Sequence, residues 1–247
     1  MKREFIAVLD SGIGGISLLR ELIKIMPNEN YLYFGDNDNA PYGSKNIRTL
    51  KTITENNIDL IKRYDIKVLA LGCNTLSVNL LNDIENYSGI KTFGVFPPVE
   101  SAILNGKTLL LATERTAERY KKIPNLLSVG LKNLAGDIER NAFSLSKVNF
   151  ERHLNSVGLD MENIKEYKTV ILGCTHYNFI KNKISAHLKP QRILSGEFFT
   201  AKQVEKFLKT TKSLVNHKRK KVLFVGENCE FNRLFFEKSG QRVSNFC

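Results

Sequence analysis

An α/β fold with largely parallel sheets, arranged as two similar halves, is the architecture this sequence predicts, and three observations predict it. Short apolar runs of strand length recur along the chain, segments of helical periodicity lie between most of them, and one strand-turn motif occurs twice. The chain has 247 residues, 42% of them hydrophobic and 25% charged, enough for one large domain or two small ones with a sizeable core. Disorder and collagen-like architecture are excluded by that balance.

The first run, Phe5 to Leu9, ends at Asp10 and leads into Ser11-Gly12-Ile13-Gly14-Gly15. Glycines let that backbone approach a ligand closely, and its N–H groups can receive a carboxylate or phosphate; a plain tight turn has the same composition. The spacing is neither the Gly-x-Gly-x-x-Gly dinucleotide pattern nor a phosphate-binding loop, which needs a following Lys-Ser or Lys-Thr. Leu18, Leu19, Leu22, Ile23 and Met26 then recur at spacings of three and four around Arg20, Glu21 and Lys24, the pattern of an amphipathic helix. Tyr31 to Phe34 is the next strand. It ends in Gly35-Asp36, and Asn37 to Pro41 reads as a turn before Tyr42-Gly43. Val68 to Leu71 and Thr92 to Phe96 complete four strands before Phe96-Pro97-Pro98, a rigid break that places the end of a first domain near residue 95. Beyond it, Thr108 to Leu111, Leu126 to Leu131, Thr169 to Leu172, Arg192 to Leu194 and Val222 to Val225 have the same length and character.

The repeated motif carries the chemistry. Val68-Leu69-Ala70-Leu71-Gly72-Cys73-Asn74-Thr75 is echoed by Val170-Ile171-Leu172-Gly173-Cys174-Thr175-His176. Each copy places a thiol at the C-terminal end of a strand and before a helical segment, which is where ligands bind in open parallel sheets. The positive end of a helix favours a thiolate, and Asn74, Thr75 and Thr175 can cap the turn or hold an anionic ligand. A lone cysteine is commonly a small buried hydrophobe, but two in matching contexts, one with His176 beside it, read as a working pair. Cys229 and Cys247 lack such surroundings and read as structural or incidental. Four cysteines are too few for a disulfide scaffold, and no Cys-x-x-Cys pair is present. Cys73, Cys174, His176 and Asp10 lack the close pairing of a zinc motif, so no metal is expected.

The chain carries 37 Lys plus Arg against 25 Asp plus Glu, a net charge of +12. The basic residues are scattered, and the one dense cluster, His217-Lys218-Arg219-Lys220-Lys221, reads as a solvated loop before the last strand. A nucleic-acid partner is not required. No apolar run approaches the roughly 18 to 20 residues of a membrane helix, and Asp10 interrupts the N-terminal run before a secretory core could form. No membrane partner and a cytoplasmic location are therefore expected.

Four motifs together resemble the glutamate racemases, cofactor-independent members of the aspartate/glutamate racemase family. They are Leu9-Asp10-Ser11-Gly12-Ile13-Gly14-Gly15, Tyr33-Phe34-Gly35-Asp36 with Pro41-Tyr42-Gly43, Gly72-Cys73-Asn74-Thr75, and Gly173-Cys174-Thr175-His176-Tyr177. They occur in the family's order over nearly the whole chain. The resemblance implies two pseudo-symmetric α/β domains with the active site in the cleft between them, and a chain that returns to the first domain, giving 1–95 plus 206–247 and 96–205. It implies glutamate as the small-molecule substrate, no pyridoxal phosphate or other cofactor, no metal, and a homodimer as an open option for assembly. Cys73 would serve the D-glutamate face and Cys174 the L-glutamate face, each delivering or removing the α-proton. Asp10 would assist Cys73 and His176 would assist Cys174, with Glu139 as a further acidic helper; a helix-surface carboxylate is the competing reading of Glu139. Ser11, Tyr42, Gly43, Asn74, Thr75, Thr175 and His176 match positions that hold the substrate's carboxylates and ammonium, along with Asp10. Thr113 and Thr116 resemble a looser ligand motif that a strand-end turn would also explain.

The sequence departs from the family pattern at Asn39 in place of an Arg, Asn178 in place of a Pro, and Leu194-Ser195-Gly196 in place of an Asp-Ser pair. These departures bear on loop geometry and selectivity more than on the reaction. Racemisation of another acidic amino acid such as aspartate, or a non-catalytic binding protein, are the alternatives. A basic surface would favour encounter with an acidic substrate.

Overall fold

The computed structural model describes residues 4–159, 161–215 and 220–238. Cys247 and His217, Lys218 and Arg219 of the basic cluster lie outside them. The strands are β1 (Phe5–Asp10), β2 (Asn30–Gly35), β3 (Ile66–Leu71), β4 (Thr92–Gly94), β5 (Thr108–Ala112), β6 (Leu126–Gly130), β7 (Thr169–Gly173), β8 (Arg192–Ser195) and β9 (Val222–Val225). The helices are α1 (Ile16–Ile25), α2 (Ile47–Ile61), α3 (Asn74–Ser88), α4 (Val99–Ile103), α5 (Glu114–Glu118), α6 (Leu134–Arg140), α7 (Phe150–Asn155), α8 (Met161–Ile164), α9 (Lys181–Leu188), α10 (Glu197–Thr210) and α11 (Cys229–Glu237). No described helix is long and apolar enough to cross a membrane.

Two sheets form, ordered β4-β3-β1-β2-β9 and β6-β5-β7-β8, and every strand pairing is parallel. Traced from β1 and from β5, both halves put the second strand on one side and the third and fourth on the other. The repeated Gly-Cys motif ends the third strand of each half. The order reverses between β1 and β3, and again between β5 and β7, and such a reversal opens a crevice at the strands' carboxyl ends. Register aligns those ends: Asp10 stands opposite Gly35, Leu9 opposite Leu71, and Ala112 between Gly130 and Gly173.

The central strands are covered on both faces, which is why they read as continuous apolar runs. Alternate residues of β1 serve different cores. Ile6 and Val8 join Leu109, Leu111, Val170 and Leu172 in one cluster shared by both sheets, while Ala7 and Leu9 pack with Leu50, Ile58, Leu76 and Leu80 of α2 and α3. In α1 the expected stripe is buried, Ile16 included, and the helix stops at Met26 because Pro27 disfavours helical backbone in the residue before it.

Two expectations are corrected. β4 ends at Gly94 rather than Phe96: its pairing with β3 stops at Leu71 opposite Gly94, the Val95 N–H makes a last bond to the Leu71 carbonyl at 3.2 Å, and Pro97 and Pro98 have no N–H to carry the ladder further. After Cys174 the chain forms a 3-10 turn, Thr175–Ile180, before α9 begins. Asn178 Nδ2 donates to the Thr175 carbonyl at 3.2 Å, and the Tyr177 N–H donates to the Cys174 carbonyl at 3.0 Å, so the tighter i,i+3 geometry wins. α10, which contains residues 205 and 206, is a continuous helix that packs on α1.

Candidate active site

Both thiols are free, buried, and set at equivalent strand ends. They line one small cavity. The first half contributes Ser11, Pro41, Tyr42, Gly43, Cys73, Asn74 and Thr75; the second contributes Thr113, Ala135, Cys174, Thr175 and His176. The two halves approach closely here. An added Cβ on Gly43 would lie 2.5 Å from Thr113, and one on Gly14 would lie 2.5 Å from both the His176 ring and the Thr175 hydroxyl.

Asp10 stands behind Cys73, fully buried. Its Oδ1 accepts the Gly12 N–H at 2.9 Å, whereas Oδ2 has no partner among the described residues. Burial pushes the Asp10 carboxyl up to about 6, and Glu139 adds to this, against the pull of His176 and the backbone N–H groups of Gly12 and Gly15. Cys73 precedes the first turn of α3, as the motif predicts. A readily formed thiolate does not follow. Burial, and then the Asp10 carboxylate, push the Cys73 thiol up to about 12, against lowering contributions from the Leu76 N–H and the Ser11 hydroxyl.

Cys174 has a different neighbour. His176 Nδ1 lies 3.9 Å from its sulfur, and His176 Nε2 donates to Glu139 Oε2 at 2.6 Å. Burial opposes charge on the ring, but hydrogen bonds with Cys174 and Glu139 and the negative charge of that carboxylate hold His176 well above the ordinary imidazole range. Glu139 is therefore no surface carboxylate. It also accepts the Ile13 N–H at 3.1 Å and an amide hydrogen from Asn37 at 2.5 Å, so α6 of the second half is tied to two loops of the first.

The remaining expected residues divide by reach. Thr75 Oγ1 lies 3.0 Å from Thr113 Oγ1, which donates to Thr116 Oγ1 at 3.1 Å; Thr116 is thus placed behind Thr113 rather than on the cavity wall. Asn74 Nδ2 donates to the Val95 carbonyl at 2.9 Å and leaves its buried Oδ1 as an acceptor without a partner among the described residues. The Tyr42 hydroxyl donates to Asp36 Oδ2 at 2.5 Å and accepts from Asn57 at 3.0 Å, so it braces the loop while the residue lines the cavity. Asn39 occupies the departure before Pro41 by donating to both Asp36 oxygens, at 2.9 and 3.1 Å.

Sequence reasoning missed Asn37, Asn57, Asn232 and Glu197. Asn232 of α11 donates to Asn37 Oδ1 at 2.8 Å, which orients the amide that meets Glu139. Its distance along the chain left no local signal. Tyr33, already within a motif, donates its hydroxyl to the Gly12 carbonyl and braces the first loop.

No model of a known protein family matches the chain. It is 35% identical over 223 residues to the glutamate racemase of Clostridium novyi (strain NT), covering 85% of each chain. To the glutamate racemase of Clostridium acetobutylicum it is 31% identical over 221 residues, covering 84% of this chain and 85% of that one. Among solved structures, a glutamate racemase from Thermus thermophilus, in complex with beta-chloro-D-alanine, matches with a TM-score of 0.79 at 27% identity over 100% of this chain and 96% of the other. A glutamate racemase isoform from Bacillus anthracis matches in fold with a TM-score of 0.80 at 22% identity, over 100% and 97%.

Proposed function

This chain belongs to the glutamate racemase family, and from that premise we propose that it interconverts L-glutamate and D-glutamate through Cys73 and Cys174, without pyridoxal phosphate or metal. The observation that supports this most is the delivery of one buried thiol from each half to a single cavity, with the Asp10 carboxylate acting electrostatically on Cys73 and the His176 ring beside Cys174. Inverting a carbon next to a carboxylate requires a base on one face and an acid on the other, and a pair of thiols supplies both.

Starting from D-glutamate, the free Oδ2 of Asp10 takes the Cys73 proton, and the resulting thiolate removes the α-hydrogen. A carboxyl group held near 6 is a stronger base than an ordinary aspartate, which suits it to this transfer. Cys174 delivers its proton to the opposite face, leaving the inverted L-glutamate, and His176 returns a proton to the Cys174 sulfur. Starting from L-glutamate the steps reverse. Neutral His176 takes the Cys174 proton, the charge it gains is stabilised by Glu139, and Cys73, protonated in the resting site, acts as the acid before Asp10 returns its proton to the sulfur.

Ser11, Asn74, Thr75, Thr113 and Thr175 present hydroxyls, amides and backbone groups to the substrate, so its charges are met by directed neutral donors and acceptors. The open Asn74 Oδ1 is suited to the α-ammonium group. D-glutamate made in the cytoplasm would supply peptidoglycan synthesis. Purified protein mixed with L-glutamate should bring its optical rotation to zero while the α-hydrogen exchanges with deuterated solvent. Unchanged rotation would overturn the proposal, and racemisation of aspartate in preference to glutamate would move the substrate assignment.

A further inference from the structure

Glu197 is a buried carboxylate that the mechanism does not use. It is the first residue of α10, where the chain crosses from β8 of the second sheet to pack on α1 of the first half, and it is 3% exposed. Its Oε1 accepts from Asn178 Nδ2 at 2.7 Å and from Ser17 Oγ at 3.2 Å. Both donors reach onward to the site. Asn178 Nδ2 also donates to the Thr175 carbonyl at 3.2 Å, and the Ser17 hydroxyl is shared with the Gly14 carbonyl at 2.8 Å. Gly14 and the Thr175–His176 turn are the two surfaces pressed together where an added Cβ would meet His176 and Thr175 at 2.5 Å.

Burying a carboxylate is costly unless charge and hydrogen bonds compensate. The N-terminus of a fourteen-residue helix supplies favourable charge, and Ser195, Ser17 and Asn178 oppose the upward pull of burial on the carboxyl group. Two of the three departures from the family pattern, Asn178 and the segment ending at Gly196, meet at this carboxylate.

We propose that Glu197 is a positioning residue that clamps the Cys174–His176 turn against the Gly14 loop. It acts through Asn178 on one side and Ser17 on the other, and so sets the geometry of the L-glutamate half of the reaction. The inference rests on the two-thiol reading. A wild-type protein that does not racemise glutamate would overturn that reading itself, whereas the variants below test the clamp in an active enzyme.

In Glu197→Ala the turn loses its anchor, and kcat/KM should fall about tenfold, a modest share of what an ångström of misplacement costs. The discriminating readout is the primary isotope effect with α-deuterated substrate of each hand. Slower transfer at Cys174 should raise the effect measured from L-glutamate and lower it from D-glutamate. Asn178→Ala should show the same asymmetry, the double variant should be no worse than the weaker single, and Glu197→Gln, which keeps an acceptor for Asn178, should restore most of the rate. Should Glu197→Ala fail to fold, Asn178→Ala carries the test alone. Unchanged kcat/KM in a folded variant, or a fall with both isotope effects unmoved, would overturn the clamp.

Discussion

Replacing Gly14 by alanine adds one methyl group at the contact between the two halves. That carbon would lie 2.5 Å from His176 Nδ1 and 2.5 Å from Thr175 Oγ1, whereas such contacts settle at roughly 3.5 Å. The contact must therefore open by about 1 Å. Neither neighbour can swing aside cheaply. His176 is buried and held by Glu139 at 2.6 Å, and the Thr175 carbonyl accepts from Asn178. Gly14 is not among the glycines with positive φ, so alanine brings no backbone strain of its own. Misplacing a catalytic group by an ångström costs about a hundredfold in rate, or about 2.7 kcal/mol in the barrier. Gly14→Ala should therefore lower kcat about a hundredfold in a polarimetric or circular-dichroism racemisation assay, with a thermal melt showing the chain folded. A folded variant with kcat within about threefold of wild type would refute the claim that this contact aligns the site.

Asp10→Asn separates stability from activity. Because burial raises the Asp10 carboxyl from 3.8 to about 6, its protonated form suits the fold. The associated stability is complete below about pH 3.8 and is lost as pH rises through about 6, a change of about 3 kcal/mol. The asparagine variant should thus resist urea better than wild type above pH 6, the gap closing below pH 4, while turnover of D-glutamate falls about a hundredfold; equal urea midpoints at every pH would contradict this. Glu139→Gln should lower kcat about tenfold to a hundredfold and move the His176 titration, followed by NMR, down toward the ordinary imidazole range. An unmoved titration would show that Glu139 does not hold the charge on His176. Tyr42→Phe should cost about 1 kcal/mol of stability and leave KM within about twofold, since its hydroxyl serves Asp36. A markedly raised KM would instead place that hydroxyl on the substrate.

The strands were legible because β1, β2, β3, β5 and β7 are buried along their whole length, leaving uninterrupted apolar runs. The two Gly-Cys turns were legible because the same environment, a third strand ending at a topological reversal, imposed the same local sequence twice. Side-chain partnerships between distant segments left no such trace. Glu139 meets His176 across the junction of α6 and the 3-10 turn, and Asn37 meets Asn232 from opposite ends of the chain. The composition of Asn37 to Pro41 reads as a turn whether or not one amide points at Glu139. The Cys73 environment was misjudged for a related reason. Helix polarity is visible in sequence, but the burial and the nearby Asp10 charge that overcome it exist only after folding.

The central claim is that opposed thiols from the two halves share one substrate carbon. Its most direct measurement follows L-glutamate and D-glutamate separately in deuterated solvent, recording optical rotation and α-deuterium content for wild type, Cys73→Ala and Cys174→Ala. Wild type should carry both enantiomers to a racemic, α-deuterated mixture, and each single variant should leave rotation unchanged from either starting hand. Racemisation persisting in either variant would contradict the account.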